Sequence, residues 1–191
     1  MTPKRSPSLA ASPTCPNRRN FLKLTAFAAA GLIAGPAFAK IGPLKQRPLS
    51  FYNTHTGEKL RTEYWARGEY LPEGLAEINH ILRDHRTNEV KPIDPRLLDL
   101  LYALQLKLGS RQAFHIISGY RSPATNAALH ARSSGVATRS LHMDGMAADI
   151  FLPDRSLHTL REAALSLERG GVGYYPESNF VHVDVGRVRQ W

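Results

Sequence analysis

Cysteine is almost missing from this sequence: Cys15 is the only one in 191 residues, and it lies near the start. If the first 39 residues are a removable leader, the remainder has none. That excludes a disulfide framework, a thiolate metal site and a cysteine nucleophile. Any catalysis must use oxygen and imidazole groups. Acid is missing from the same 39 residues, which hold Lys4, Arg5, Arg18, Arg19 and Lys23 but no Asp or Glu. The formal net charge of +9 therefore overstates the rest of the chain, which carries +4. That mild excess suits an anionic polymer. It is too weak to argue for nucleic acid, and no base-stacking or helix-turn-helix pattern supports one. A long apolar run is also missing. The leader's best stretch, from Leu24 to Ala34, is short and rich in Ala and Gly, below what a membrane span needs.

What is present begins with Asn17-Arg-Arg-Asn-Phe-Leu-Lys23, which has the form of a twin-arginine signal, followed by the small-x-small site Ala37-Phe-Ala39. The expectation is a cleaved signal over residues 1–39, periplasmic export and no remaining membrane anchor. Residues 40–48 read as a linker because of Pro43 and Pro48, and 49–191 as one domain of ordinary size. With 42% hydrophobic residues, the chain can form a real core.

Leu49–Asn53 and Lys59–Trp65 flank the turn residues Thr54-His-Thr-Gly57, which predicts a hairpin with His55 solvated. Pro72 to His85 has helical apolar spacing. Asp94-Pro95 predicts a capped helix whose leucine stripe ends at Gly109. Ala113–Ser118 reads as a strand, Ser122 as the cap of a helix to about Arg132, and Met146–Leu152 as a strand. A helix over Ser156–Arg169 and a strand pair, 170–175 and 180–185, complete the chain. Strands and helices mix without regular βαβ alternation, so the expected class is α+β with helices packed on an antiparallel sheet.

The chemistry gathers in Ser140-Leu-His-Met-Asp-Gly-Met-Ala-Ala-Asp149 and in Phe180-Val-His-Val-Asp184. His142, Asp149 and His182 offer two imidazoles and a carboxylate, a proper set for a catalytic zinc that keeps a fourth position open. Gly145 would let the backbone double back between the first two. Spacing alone leaves a structural reading equally open, with His142 capping a loop, Asp149 in a turn or ion pair and His182 packed in the sheet. Strand alternation puts Phe180, His182 and Asp184 on one face. Asp184 could then accept a proton from water or support a ligand from behind. Glu177, in the turn before it, is the other carboxylate that could fold over the site.

Ser-x-His-x6-Asp with a late His-x-Asp resembles the zinc D-Ala-D-Ala peptidase superfamily, which includes peptidoglycan carboxypeptidases, phage endolysins and the hedgehog signalling domain. Ser118-Gly-Tyr-Arg-Ser122 matches its strand-turn element, and Gly170–Tyr175 with Phe180–Asp184 resembles the periplasmic murein endopeptidases within it. The resemblance covers roughly residues 49–191. It implies a hedgehog- and D,D-peptidase-like fold, one zinc per chain on His142, Asp149 and His182, and peptidoglycan stem peptides and cross-bridges as substrate. It further implies zinc that activates water and polarises the scissile carbonyl, with Arg121 steadying the oxyanion or holding a substrate carboxylate. Ser140 either contacts the substrate peptide or caps its loop. The chain departs from many relatives in having Phe180, not a His or acid, two residues before the third ligand. Asp184 is therefore the preferred base over Glu177. The leading reading is a zinc endopeptidase cutting D,D- or L,D-cross-links during wall growth. A stem-peptide carboxypeptidase and a non-catalytic wall-binding module are the alternatives.

Overall fold

The structure is a computed structural model that describes residues 46–191 apart from 133 and 134. The expected signal, its cleavage site and the first part of the expected linker lie outside the described residues. Eight strands, β1 (Gln46–Asn53), β2 (Lys59–Ala66), β3 (Glu69–Tyr70), β4 (Phe114–Ser118), β5 (Ala147–Phe151), β6 (Gly171–Tyr175), β7 (Phe180–Asp184) and β8 (Arg189–Gln190), form one sheet. The helices are α1 (Pro72–Ile81), α2 (Pro95–Leu108), α3 (Pro123–His130) and α4 (Leu157–Leu165). The class is α+β, as expected.

The sheet runs β3-β2-β1-β4-β5-β7-β6-β8. It is mixed, not purely antiparallel: β1 pairs with β4 in parallel, as does β6 with β8. The first parallel pair arises because two helices intervene between β1 and β4, so the chain re-enters the sheet from the same end. The first strand begins at Gln46, inside the stretch read as linker. Pro48 lies within it at a register shift between Arg47 and Pro48; a bulge is where a residue without an N–H fits a sheet.

Alternation along the strands makes two unlike faces. One carries Leu49, Phe51, Phe114, Ile116, Ile150, Val181 and Val183, all buried in the core with Leu97, Leu98, Leu101 and Leu104 of the leucine stripe. Helix α2 has the predicted ends: the Asp94 carboxylate accepts from the Arg96 N–H, and Gly109 closes it in the left-handed region at φ 58°. The other face carries Asp149 and His182, which sit opposite each other in the β5–β7 register.

Helix α1 stops at Ile81, short of the expected His85. Asp84 ends it locally. Its carboxylate accepts from the Arg86 N–H and its carbonyl from the Asn88 N–H, a turn that competes with helical bonding. His85 therefore leaves the helix and stacks on His55, with ring centroids 3.8 Å apart. His55 is exposed in the turn, as expected, and its Nε2 donates to the Ile117 carbonyl at 3.0 Å.

Candidate metal centre and active-site cleft

The three expected ligands come from three separate pieces of chain. His142 sits in a 3₁₀ turn, Leu141–Asp144. Gly145 reverses the chain after it at φ 67°, and a Cβ there would collide with the Pro92 carbonyl. Asp149 lies in β5 and His182 in the adjoining β7. All three are buried.

Their ligand atoms form a small triangle. His142 Nε2 lies 3.2 Å from Asp149 Oδ1 and 3.2 Å from His182 Nδ1, and the third edge, His182 Nδ1 to Asp149 Oδ1, is 2.9 Å. Metal–ligand distances of about 2.0–2.1 Å give a tetrahedron with edges of about 3.3 Å, so the triangle has the size of one tetrahedral face.

The hydrogen bonds behind the triangle fix its chemistry. His142 Nδ1 is 2.7 Å from the Gly119 carbonyl. A carbonyl only accepts, so Nδ1 carries the proton and Nε2 presents a lone pair. His182 Nε2 is 3.1 Å from Asp184 Oδ2, which by the same reasoning leaves Nδ1 as a lone pair. Two bare nitrogens and a carboxylate oxygen thus converge with no donor between them. Only a cation or an extra proton relieves that arrangement. Burial alone would raise the Asp149 carboxyl pKa, but His142 and His182 outweigh it and hold the group well below the usual range. Burial would likewise lower His182, yet Asp149 and Asp184 raise it.

Arg121 lies against the same centre. Its Nη2 is 3.3 Å from Asp149 Oδ2 and 3.3 Å from Ser118 Oγ. Burial lowers its pKa, partly offset by Asp149, and the side chain is only 10% exposed. Its Nε is buried without a partner among the described residues. Asp149 thus offers one oxygen to the triangle and the other to Arg121.

Two backbone bonds hold the segment that carries Arg121. The Tyr120 N–H donates to the Leu82 carbonyl at 2.7 Å and the Arg121 N–H to the His142 carbonyl at 3.1 Å. Tyr120 itself is buried packing, as expected. The Ser122 N–H donates to Asp84 Oδ2 at 2.8 Å. Neither Asp84 nor Gly119 stood out in the sequence. Asp84 is distant in the chain, and the close fit of Gly119 shows only in three dimensions: a Cβ there would lie 2.5 Å from the Leu82 carbonyl.

The centre opens into a cleft of about 330 Å³ lined by Arg121, Ser140, Tyr175, Phe180 and Trp191 among others. Among the described residues, Asp149 is its only acidic lining residue. Neither carboxylate considered as the base, Asp184 or Glu177, lines it. Asp184 is fully buried behind His182. Its Oδ1 accepts from the Gly171 and Gly186 N–H groups at 2.9 and 2.8 Å, and its Oδ2 from Arg189 Nη2 at 2.6 Å. With its oxygens so engaged, it supports His182 from the side away from the triangle. Glu177 is exposed and does not line the cleft. Ser140 accepts from the His142 N–H at 3.4 Å and caps the 3₁₀ turn while lining the cleft.

An α+β sheet with a buried His–Asp–His centre open to a peptide-sized cleft has the architecture of a peptidase of the D-Ala-D-Ala superfamily. Comparison with known families sharpens this, matching residues 43–191 to the family described as peptidoglycan L,D-endopeptidase MepK. The chain belongs to that peptidase family. Among its relatives, the peptidoglycan L,D-endopeptidase MepK of Escherichia coli K12 is 48% identical over 176 residues, 92% of this chain and 97% of that one. The probable peptidoglycan L,D-endopeptidase MepK of Haemophilus influenzae is 40% identical over 177 residues, 92% and 95% of the two chains. No solved structure matches. Among the described residues, no helix is long and apolar enough to cross a membrane.

Proposed function

We propose that this chain is a zinc-dependent murein endopeptidase that hydrolyses L,D-type peptide cross-links of peptidoglycan during wall growth. It would be exported by the twin-arginine route and act in the periplasm. The observation that carries the reading is the triangle of three acceptors at the floor of the cleft. The relatives' described activity supports peptidoglycan as substrate, and the remainder's charge of +4 suits an anionic wall polymer.

His142, Asp149 and His182 would hold one zinc. When bound, zinc supplies a Lewis acid and a nucleophile usable at neutral pH. The other residues prepare the site. The Gly119 carbonyl and Asp184 fix the proton of each histidine on the ring nitrogen turned away from the triangle, so both present a lone pair. Arg121 restrains Asp149 through Oδ2 and keeps Oδ1 turned to the histidines. Its charge, in a largely water-excluded place, favours negative charge developing on a substrate carbonyl in the cleft. The burial of all three ligand residues strengthens each of these interactions relative to water.

The test is incubation of the purified protein with cross-linked sacculi, with zinc or with chelator, and muropeptide analysis by mass. Zinc-dependent conversion of dimers to monomers is the expected result, and the fragments identify the bond. Intact dimers with shortened tails would make it a carboxypeptidase. No change, with one zinc bound, would make it a wall-binding module.

A further inference from the structure

The cleft has an aromatic wall that the centre itself does not explain. Tyr175 and Phe180 face each other across the β6–β7 register, with ring centroids 4.6 Å apart and planes 24° apart. Trp191 lies beside them, its ring centroid 5.2 Å from that of His182. The main chain fixes Trp191 in place, its N–H donating to Val172 and its carbonyl accepting from Tyr174. Its indole covers Gly173, where a Cβ would approach the ring to 2.7 Å.

The decisive contact is polar. Trp191 Nε1 lies 2.6 Å from the Tyr175 hydroxyl oxygen. An indole nitrogen only donates, so the phenol oxygen is the acceptor and its own proton remains free for another partner. Stacking on Phe180 and the bond from Trp191 together restrain the phenol from two sides. Tyr175 and Arg121 both line the cleft. Among the described residues, no acid other than Asp149 lines the cleft, and Asp149 is engaged by His142, His182 and Arg121.

We propose that the Tyr175 hydroxyl donates a hydrogen bond to the scissile carbonyl oxygen of the substrate as negative charge builds there, with Trp191 holding the phenol in position. Tyr175 is then a catalytic residue and Trp191 a positioning residue. The inference rests on the peptidase reading and adds a donor to the charge of Arg121.

The test compares zinc-loaded wild type, Tyr175→Phe and Trp191→Phe. Tyr175→Phe keeps the stacking on Phe180 and removes only the hydroxyl. Losing one such donor lowers kcat by about 100- to 1,000-fold, with KM and zinc content unchanged. Trp191→Phe gives a smaller fall in kcat. A second readout needs no turnover: calorimetric binding of a phosphinate dipeptide, whose tetrahedral anion mimics the charged oxygen. Tyr175→Phe weakens phosphinate binding about 100-fold, by the same loss of one donor, and leaves binding of a cleaved stem peptide unchanged. Equal phosphinate affinity in wild type and Tyr175→Phe, or an effect confined to KM, would overturn the proposal. A wild type that cleaves no cross-link would refute the endopeptidase reading instead, while the phosphinate comparison would still decide the role of Tyr175.

Discussion

His182 and Asp184 lie two residues apart on one strand, and their side chains meet at 3.1 Å on the side of the imidazole away from Asp149. This contact lets Asp184 set the tautomer of His182. Arg189 and two backbone N–H groups secure it in turn. In the proposed reaction Asp184 would act through His182 and not on substrate.

The first prediction follows from that placement. Asp184→Asn keeps an acceptor for His182 but loses the charge and weakens the pairing with Arg189. Zinc affinity should fall about 10- to 100-fold, the usual cost of losing a partner behind a ligand. Activity should return when zinc is raised to saturation. Activity that stays lost at full zinc occupancy would restore Asp184 as the base.

Gly119 carries two duties at once. Its carbonyl accepts from His142 Nδ1 at 2.7 Å, and its lack of a side chain lets β4 end against Leu82. Gly119→Ala forces the two backbones apart. Overpacking of this kind costs about 1–3 kcal/mol, measurable as a lower midpoint in urea. Because the Arg121 and His142 segments both hang on this residue, zinc affinity should fall in the same variant. Unaltered stability and zinc affinity together would refute the close packing.

The His55–His85 stack, which does not line the cleft, predicts a pH dependence of stability. Burial chiefly, then the neighbouring His55 and Arg86, push the pKa of His85 down to about 4, with Asp84 opposing. An unfolded histidine titrates near 6.5. Between those values the unfolded chain binds more protons than the folded one, so stability is full above about 6.5 and falls as pH drops toward 4. His85→Gln should flatten that part of the stability curve. A wild-type curve already flat from pH 7 to 4 would contradict it.

Much of this was legible in the sequence because local rules governed it. The cap at Asp94, the proline after it and the glycine at 109 fixed α2 through bonds within a few residues. The hairpin of β1 and β2 followed from alternation and turn chemistry. The His–Asp–His set was visible because zinc chemistry restricts ligand types so strongly. Helix α1 ended early because Asp84 offered the backbone a competing turn, a choice that propensity does not settle. The sheet was expected to be antiparallel because hairpins dominate the chain order, but nothing local encodes the return of β4 beside β1.

The sequence by itself determined which side chains could bind a metal and where most strands and helices would lie, since both depend on side-chain chemistry and short-range geometry. Only the tertiary structure decided what each carboxylate does. Asp149, Asp184 and Glu177 are alike in chemistry, yet one faces the triangle, one is buried behind His182 and one is exposed. Likewise the Gly119 carbonyl, Asp84 and Trp191 reach the site from distant parts of the chain. Their roles come from contacts between elements far apart in sequence, where burial and direction, not residue type, set the function.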